Sequence, residues 1–157
     1  MDRKLKILLL GIGKTKLKFI AEGVERYKKL MSIYASVDEK YLKEENEAKK
    51  DAVAKESAAL LKNVPAGYKK ILLDVRGRKM DSEMFSDYIK SLKESSGSSG
   101  AAFIVGGSNG TCPELKKEAD ICLSLSDMTT THELIRLFLA EQIYRAFTII
   151  NNKKYHK

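Results

Sequence analysis

The chain has 157 residues, 43% hydrophobic and 32% charged, a length and balance that suit one globular domain with a substantial core. No apolar run approaches a membrane span, and the opening "MDRKLKILLLGIGK" is too poor in apolar residues for a signal-peptide core. Two cysteines, Cys112 and Cys122, exclude a disulfide framework and a cysteine metal site and read as small packing side chains, so we expect a cytoplasmic protein without membrane or metal.

The net charge of +8 is uneven: residues 1–70 carry 17 Lys+Arg against 10 Asp+Glu, and residues 71–157 carry 12 against 11. Local excesses lie in "GKTKLKF" and in the tail from Arg145 to Lys157, which holds no acid. Such a balance suits a polyanionic partner, of which nucleic acid is the commonest; the plainer reading is a lysine-rich soluble surface.

In chain order, "KLKILLLG" predicts a buried strand, and "KTKLKFIAEGVERYKKLM" has apolar residues at helical spacing. "SIYASV" alternates as a strand does. "DEKYLKEENEAKKDAVAKESAALLKNV" sets opposite charges three and four apart and predicts a solvated helix closed by Pro65 and Gly67. "KKILLDVRG" is a second buried strand, "DSEMFSDYIKSLKES" an amphipathic helix, and "SGSSG" a flexible turn. "AAFIV" is a third apolar strand, "CPELKKEAD" a short helix with Pro113 near its start, and "ICLSLS" a fourth. A last helix is expected from about Thr131 to Ile150, opened by a capping box between Thr130 and Glu133, with most of Leu134, Leu137, Phe138, Ile143 and Phe147 in the core.

Strands alternating with helices predict a single α/β domain over residues 1–157, a mostly parallel sheet with helices on both faces. Ligands of such sheets collect at the carboxyl ends of the strands, where turns follow Asp74, Val105 and Ser126. "GIGKT" is no phosphate loop, because the first glycine that loop needs is Leu8 here, and no dinucleotide fingerprint, because Lys16 stands where a glycine is required. Gly11 and Gly13 are left to make a tight strand-to-helix turn. "GGSNGT" fails the same tests, and its glycines suit either a surface turn or a backbone that approaches a ligand closely.

The stretches "FIVGGSNG", "LSLSDMTTTHELIRLFLAEQIYRAF" and the terminal "YHK" resemble the pseudouridine N3-methyltransferase family of large-subunit ribosomal RNA, within the SPOUT class; "GKTK" and "DVRGRKMDSEMFSDYI" match as well. The resemblance covers nearly the whole chain. One departure is Thr131, where relatives commonly have proline before the histidine.

The resemblance implies a trefoil knot in the C-terminal part, a homodimer, and S-adenosylmethionine as methyl donor. It places cofactor contacts on Leu73, Gly106, Leu125, Ser126, Asp127, Met128, Thr129 and Thr130. A donor without phosphates needs no phosphate-loop lysine, and glycine lets backbone amides approach adenine and ribose. The implied acceptor, the pseudouridine N3, carries an imide proton that must leave before the nitrogen attacks, which calls for positioning and a base or cation. His132 and His156 are the only histidines, and with Tyr155 they are the catalytic candidates; the reading favours Tyr155 and His156 for the acceptor and leaves open which histidine matters more. Arg136, Arg145 and Lys157 are candidates to steady the anion or grip phosphate, and Lys14, Lys16 and Lys18 to touch RNA. The rival readings are a ribosome-binding protein that kept the fold and lost the reaction, and a nucleotide-binding module built on "GIGKT".

Overall fold

Runs of Leu, Ile, Val and Phe without polar alternation cannot leave either face of a strand in water, so they demand helices on both sides of a sheet. The computed structural model describes residues 3–155 and meets that demand. Its elements alternate as β1 (Leu5–Ile12), α1 (Lys18–Met31), β2 (Ala35–Leu42), α2 (Ala52–Lys62), β3 (Tyr68–Lys79), α3 (Ser82–Glu94), β4 (Gly100–Val105), α4 (Pro113–Glu118), β5 (Ile121–Ser124) and α5 (Leu134–Ile150). The strands form one sheet in the order β2-β1-β4-β3-β5, with every pairing parallel.

Although β4 is buried throughout, its side chains still divide by parity between two cores. Ala101, Phe103 and Val105 join Ile7 and Leu9 beneath α1, α3 and α5, where Phe103 meets Phe85 edge-on at 6.3 Å and Tyr34 stacks on Phe147 at 5.5 Å. Ala102 and Ile104 join Leu8, Leu10 and Leu72 beneath Leu60 of α2 and Leu115 of α4. Each such aliphatic or aromatic side chain contributes roughly 1.5–3 kcal/mol by leaving water. No helix among the described residues is long and apolar enough to cross a membrane.

Four local expectations shift. Asp38–Leu42 belong to β2 rather than to a helix: they pair in register with Leu8–Ile12, and α2 starts only at Ala52. Charges spaced for helical pairing lose here because the open edge of β1 offers a full backbone ladder, worth more than exposed ion pairs of a few tenths of a kcal/mol each. Helix α1 begins at Lys18 rather than Lys14, because residues 13–17 form a loop held from outside. Strand β5 stops at Ser124, as the Ser124 hydroxyl turns back to donate to Ser126 O at 3.0 Å. The Thr130–Glu133 capping box does not form; Thr131 Oγ1 accepts from Leu134 N at 3.1 Å, and Glu133 points elsewhere. Of the expected α5 core residues, Ile143 and Phe147 are buried and Leu137 is half-buried, while Leu134 and Phe138 stay 43% and 42% exposed.

Strand β3 carries a bulge that the sequence did not announce. Leu73 and Arg78 both pair with Leu123, so the residues between them leave the ladder. A Cβ on Gly77 would stand 2.6 Å from the carbonyl carbon and oxygen of Cys122. Gly77→Ala should therefore destabilise the fold by about 2 kcal/mol, the overpacking range, against a near-neutral Gly97→Ala control that meets nothing within 4 Å. Urea unfolding of the two variants checks this.

Candidate functional site

Where β3, β4 and β5 end, the chain leaves a cavity of about 720 Å³, within the range of small-molecule sites. Leu73, Asp74 and Val75 line one side, the last two turned inward by the β3 bulge. Val105 and the turn Gly106–Thr111 form the second, and Leu123, Leu125 and Ser126 the third. Met128, Thr130, His132, Glu133 and Ile135 complete the wall toward α5.

The glycine turn folds tightly on itself. Gly110 has φ +81° and donates its N–H to Gly107 O at 3.0 Å, and a Cβ on Gly106 would meet Thr111 Cγ2 at 2.6 Å. Helix α2 props the turn from below: Ser57 Oγ accepts from Cys112 N at 3.0 Å, and Glu56 lies beneath Gly107. Glu56 is only 2% exposed; its Oε2 accepts from Glu45 N at 3.1 Å, while Oε1 has no partner among the described residues. Burial pushes this carboxyl above its ordinary value; the Glu45 N–H pulls it down, and the charges of Glu44, Glu45 and Glu47 push it up further. Above the turn, the Ser108 hydroxyl lies 3.3 Å from both Glu44 and Glu47. In the cavity wall itself, Asn109 Nδ2 is buried and has no partner among the described residues.

The opposite wall is a polar loop that satisfies its own backbone. Ser126 Oγ accepts from Met128 N at 3.0 Å, and both residues line the cavity. Of the cofactor positions the resemblance implied, Leu73, Gly106, Leu125, Ser126, Met128 and Thr130 line the cavity, Met128 at its rim and 79% exposed. Asp127 and Thr129 do not; Asp127 turns outward to Lys79 Nζ at 2.6 Å. Cations are scarce inside. Among the described residues Lys116 is the only lysine or arginine of the wall, and its ammonium lies 3.3 Å from the Asp74 carboxylate.

Arg136 does not reach toward a phosphate or an acceptor anion. It is 3% exposed, and Nη2 donates to Ile12 O at 2.6 Å and Gly13 O at 2.9 Å, while Nη1 donates to Thr15 Oγ1 at 2.9 Å. Its guanidinium lies 4.2 Å above the Tyr41 ring, whose hydroxyl donates to Glu39 at 2.6 Å. Gly11 leaves room for this stack, since a Cβ there would stand 3.3 Å from both Arg136 Nη2 and the Tyr41 ring. One turn earlier, Glu133 Oε1 accepts from Lys16 N at 2.6 Å and Leu17 N at 3.0 Å. These amides, above all that of Leu17, hold the Glu133 carboxyl below its ordinary value, with Arg136 and His132 adding to the effect. A carboxylate therefore already occupies the two amides that follow "GIGKT" in the chain. Lys14 and Lys16 project from this loop and Lys18 opens α1 behind it, all exposed, with Lys18 Nζ 3.7 Å from Glu22.

At the far end of α5, Arg145 pairs with Glu141 at 2.6 Å and lies 4.8 Å over the Tyr155 ring. Tyr155 packs edge-on against Tyr144 at 4.9 Å and donates to Glu141 Oε1 at 3.2 Å. Burial pushes the Tyr155 phenol up, and Tyr27 and Glu141 push it in the same direction. Glu141 lies about 12 Å along the helix from Glu133, at about 1.5 Å per residue, and Tyr155 is not part of the cavity wall. His156 and Lys157 lie outside the described residues. No group of His, Cys, Asp or Glu among the described residues is arranged to hold a metal.

Sequence reasoning placed the turns at Asp74 and "GGSNGT" on the ligand edge but missed Glu56 and the second duty of Glu133, which depend on contacts between distant segments that no local pattern signals.

Comparison with known proteins places these features among relatives. The family described as "Predicted SPOUT methyltransferase" matches residues 5–156. A protein of Desulfotalea psychrophila named ribosomal RNA large subunit methyltransferase H is 43% identical, over 98% of this chain and 99% of its own. One of the same name from Fusobacterium nucleatum is 41% identical over 98% of this chain and all of its own. Among solved structures, "a probable methylase family protein" from Haemophilus influenzae Rd KW20 superimposes with a TM-score of 0.54 at 14% identity, covering 100% of this chain and 72% of that one, a likeness of fold.

The buried acid yields a pH test. A carboxyl whose folded pKa is raised favours the folded state when protonated, so its ionisation withdraws stability as pH rises through that value. Glu56→Gln mimics the protonated form and should stabilise the protein by roughly 1–3 kcal/mol at neutral pH, the cost of an unsatisfied buried group. The gain should shrink as pH falls through the raised pKa of Glu56, as read by denaturant unfolding across the pH range.

Proposed function

The chain belongs to the SPOUT methyltransferase family, and from that premise we propose that it moves a methyl group from S-adenosylmethionine to N3 of a pseudouridine in large-subunit ribosomal RNA. The observation that carries the donor reading is the character of the cavity. Leu73, Val105, Leu125 and Ile135 offer apolar surface to a purine, and Asn109 Nδ2 is a buried donor waiting for an acceptor. The one lysine in the wall is matched by Asp74, so the cavity suits a ligand without phosphates.

When bound, the donor supplies an electrophilic methyl on a sulfonium. The protein's share is to hold that ligand, bring in the acceptor, exclude water and accept the imide proton. His132, in the wall, and His156 of the tail are the groups suited to take the proton. The Tyr155 phenol, pushed up, stays protonated near neutrality and serves as a stacking and hydrogen-bonding surface. Arg145 beside it contributes a cation to the same surface. Lys14, Lys16 and Lys18 are placed to meet RNA phosphates.

The chain acts, in this reading, as a homodimer. Leu134 and Phe138 on α5, with Leu17 and Phe19 beside α1, leave large apolar side chains 42–62% exposed. Tyr155 is not part of its own chain's cavity wall, and the tail would then serve the cavity of a second copy. The trefoil path implied by the family resemblance belongs to the same reading. The relatives' shared name, across nearly full length, favours an enzyme over a ribosome-binding protein that lost the reaction.

Titration calorimetry should give binding of S-adenosylmethionine and none of ATP. Gly106→Val, which crowds Thr111 in a folded chain, should abolish donor binding. ATP binding without donor binding would restore the nucleotide reading.

Deleting Tyr155–Lys157 should leave donor binding intact and cut methylation of ribosomes by on the order of a hundredfold. Mixed dimers of the truncated chain with Gly106→Val should recover part of the rate, because one copy keeps the cavity and the other the tail. No recovery would place tail and cavity in the same chain, and a full rate in the truncated chain would move attention to His132.

A further inference from the structure

The turn that enters α5 faces two ways. On one side Thr131, His132 and Glu133 form part of the cavity wall. On the other, the same Glu133 holds the loop that carries Lys14, Lys16 and Lys18. Both hydrogen bonds go to a single oxygen, Oε1, at 2.6 and 3.0 Å, so one carboxylate fixes two consecutive peptide planes just before α1. The beginning of the loop is pinned separately: Arg136 takes the carbonyls of Ile12 and Gly13, and Gly13 N donates to Leu42 O at 2.6 Å. The loop is thus held at its start by a buried cation on carbonyls and at its end by a carboxylate on amides.

The two fastenings differ in rigidity. Arg136 is buried and stacked on Tyr41, which is tied through Glu39 to Lys28, so it is a fixed pivot. Glu133 follows the exposed run Asp127–Thr131, whose hold on α5 is the Thr131 hydroxyl on Leu134 N and the Thr131 carbonyl on Ile135 N. A molecule filling the cavity packs against Thr130–Glu133 and restricts this run. The carboxylate then holds Lys16 N and Leu17 N in one arrangement, and the three lysines point in fixed directions.

We propose that Glu133 is a positioning residue that couples the two halves of the site, so that occupation of the donor cavity tightens the lysine loop's grip on RNA, and RNA tightens donor binding in equal measure. The ordering cost borne by the first ligand is spared the second, and linkage makes the effect reciprocal. This inference rests on the reading that the cavity takes the methyl donor and the lysines touch RNA.

The test measures binding of the full chain to ribosomes with and without saturating S-adenosylhomocysteine, a non-reacting donor analogue. In the unmodified protein the analogue should tighten ribosome binding by about fivefold or more, the lower end of ordinary allosteric coupling. Glu133→Ala should bring the factor to about one, as should Glu133→Asp, one methylene too short to reach both amides; a melting curve confirms that each is folded. Glu133→Gln should keep most of the coupling, because one amide oxygen can accept both N–H groups. This ratio does not depend on how much either single affinity falls, so a merely structural loss leaves it unchanged. Coupling that persists in both disrupting variants, a Gln variant no better than Ala, or no coupling in the unmodified protein overturns the proposal. Replacing Lys14, Lys16 and Lys18 by Gln separates the premise from the inference: it should weaken ribosome binding and flatten its salt dependence by a log–log slope of up to about 0.9 per lost contact. If that variant binds as before, the RNA reading of the loop has failed; if it binds weakly while Glu133→Ala stays coupled, only the positioning role falls.

Discussion

Strand β4, "GAAFIV", offers no polar side chain to water on either face, and a parallel strand of that kind must lie in the middle of a sheet. This constraint organises the rest. It requires neighbours on both edges, which β1 and β3 supply, and a helical layer above and below. The connections are crossovers and all strands run the same way, so β4 ends beside the end of β1 while β3 runs on past it, and the loops that follow β4 and β5 wall the space beyond. The cavity is the space that this arrangement leaves, and it opens where the backbone of the strands runs out of partners.

What fills the edge of that space is a set of side chain–backbone bonds rather than regular structure. Ser57 and Glu56 support the glycine turn, Ser126 shapes the loop after β5, and Glu133 and Arg136 fix the loop after β1. Three loops from separate parts of the chain are thereby held by polar groups with little exposure. Such contacts are sensitive to substitution, since each buried partner left alone forfeits its solvation as well as its bond.

The electrostatics of the molecule are local despite the basic total. The cavity holds a matched Lys116–Asp74 pair, whereas Lys14, Lys16 and Lys18 stand outside it, exposed. A ligand-sized cavity and a basic surface are thus separate, joined through the turn that enters α5. Two acidic side chains serve the loops from within, Glu133 by holding backbone amides and Glu56 beneath the glycine turn, while Glu22 lies 3.7 Å from Lys18 on the surface.

The sequence by itself determined the alternation of strands and helices, the two-sided covering of the sheet, and the strand ends as the place for a site. These follow from local apolar periodicity, which is a property of neighbours in the chain. It also exposed "GIGKT" as no phosphate loop, by the absence of one glycine, and the resemblance named Leu73, Gly106, Leu125, Ser126, Met128 and Thr130 of the cavity wall. Asp38–Leu42 were misread because charge spacing favours a helix locally, whereas the unpaired edge of β1 lies far away in sequence. The contacts of Arg136 and Glu133 were hidden for the same reason: in the sequence Arg136 is a candidate to steady an anion or grip phosphate and Glu133 a capping acid, and only folding brings residues 12–17 against them. Tertiary structure decided which polar groups face backbone and which face a ligand. Burial and hydrogen-bond partners across more than a hundred residues, as between Glu133 and Lys16, are set by the packing of whole elements and leave no mark in the spacing of any one segment.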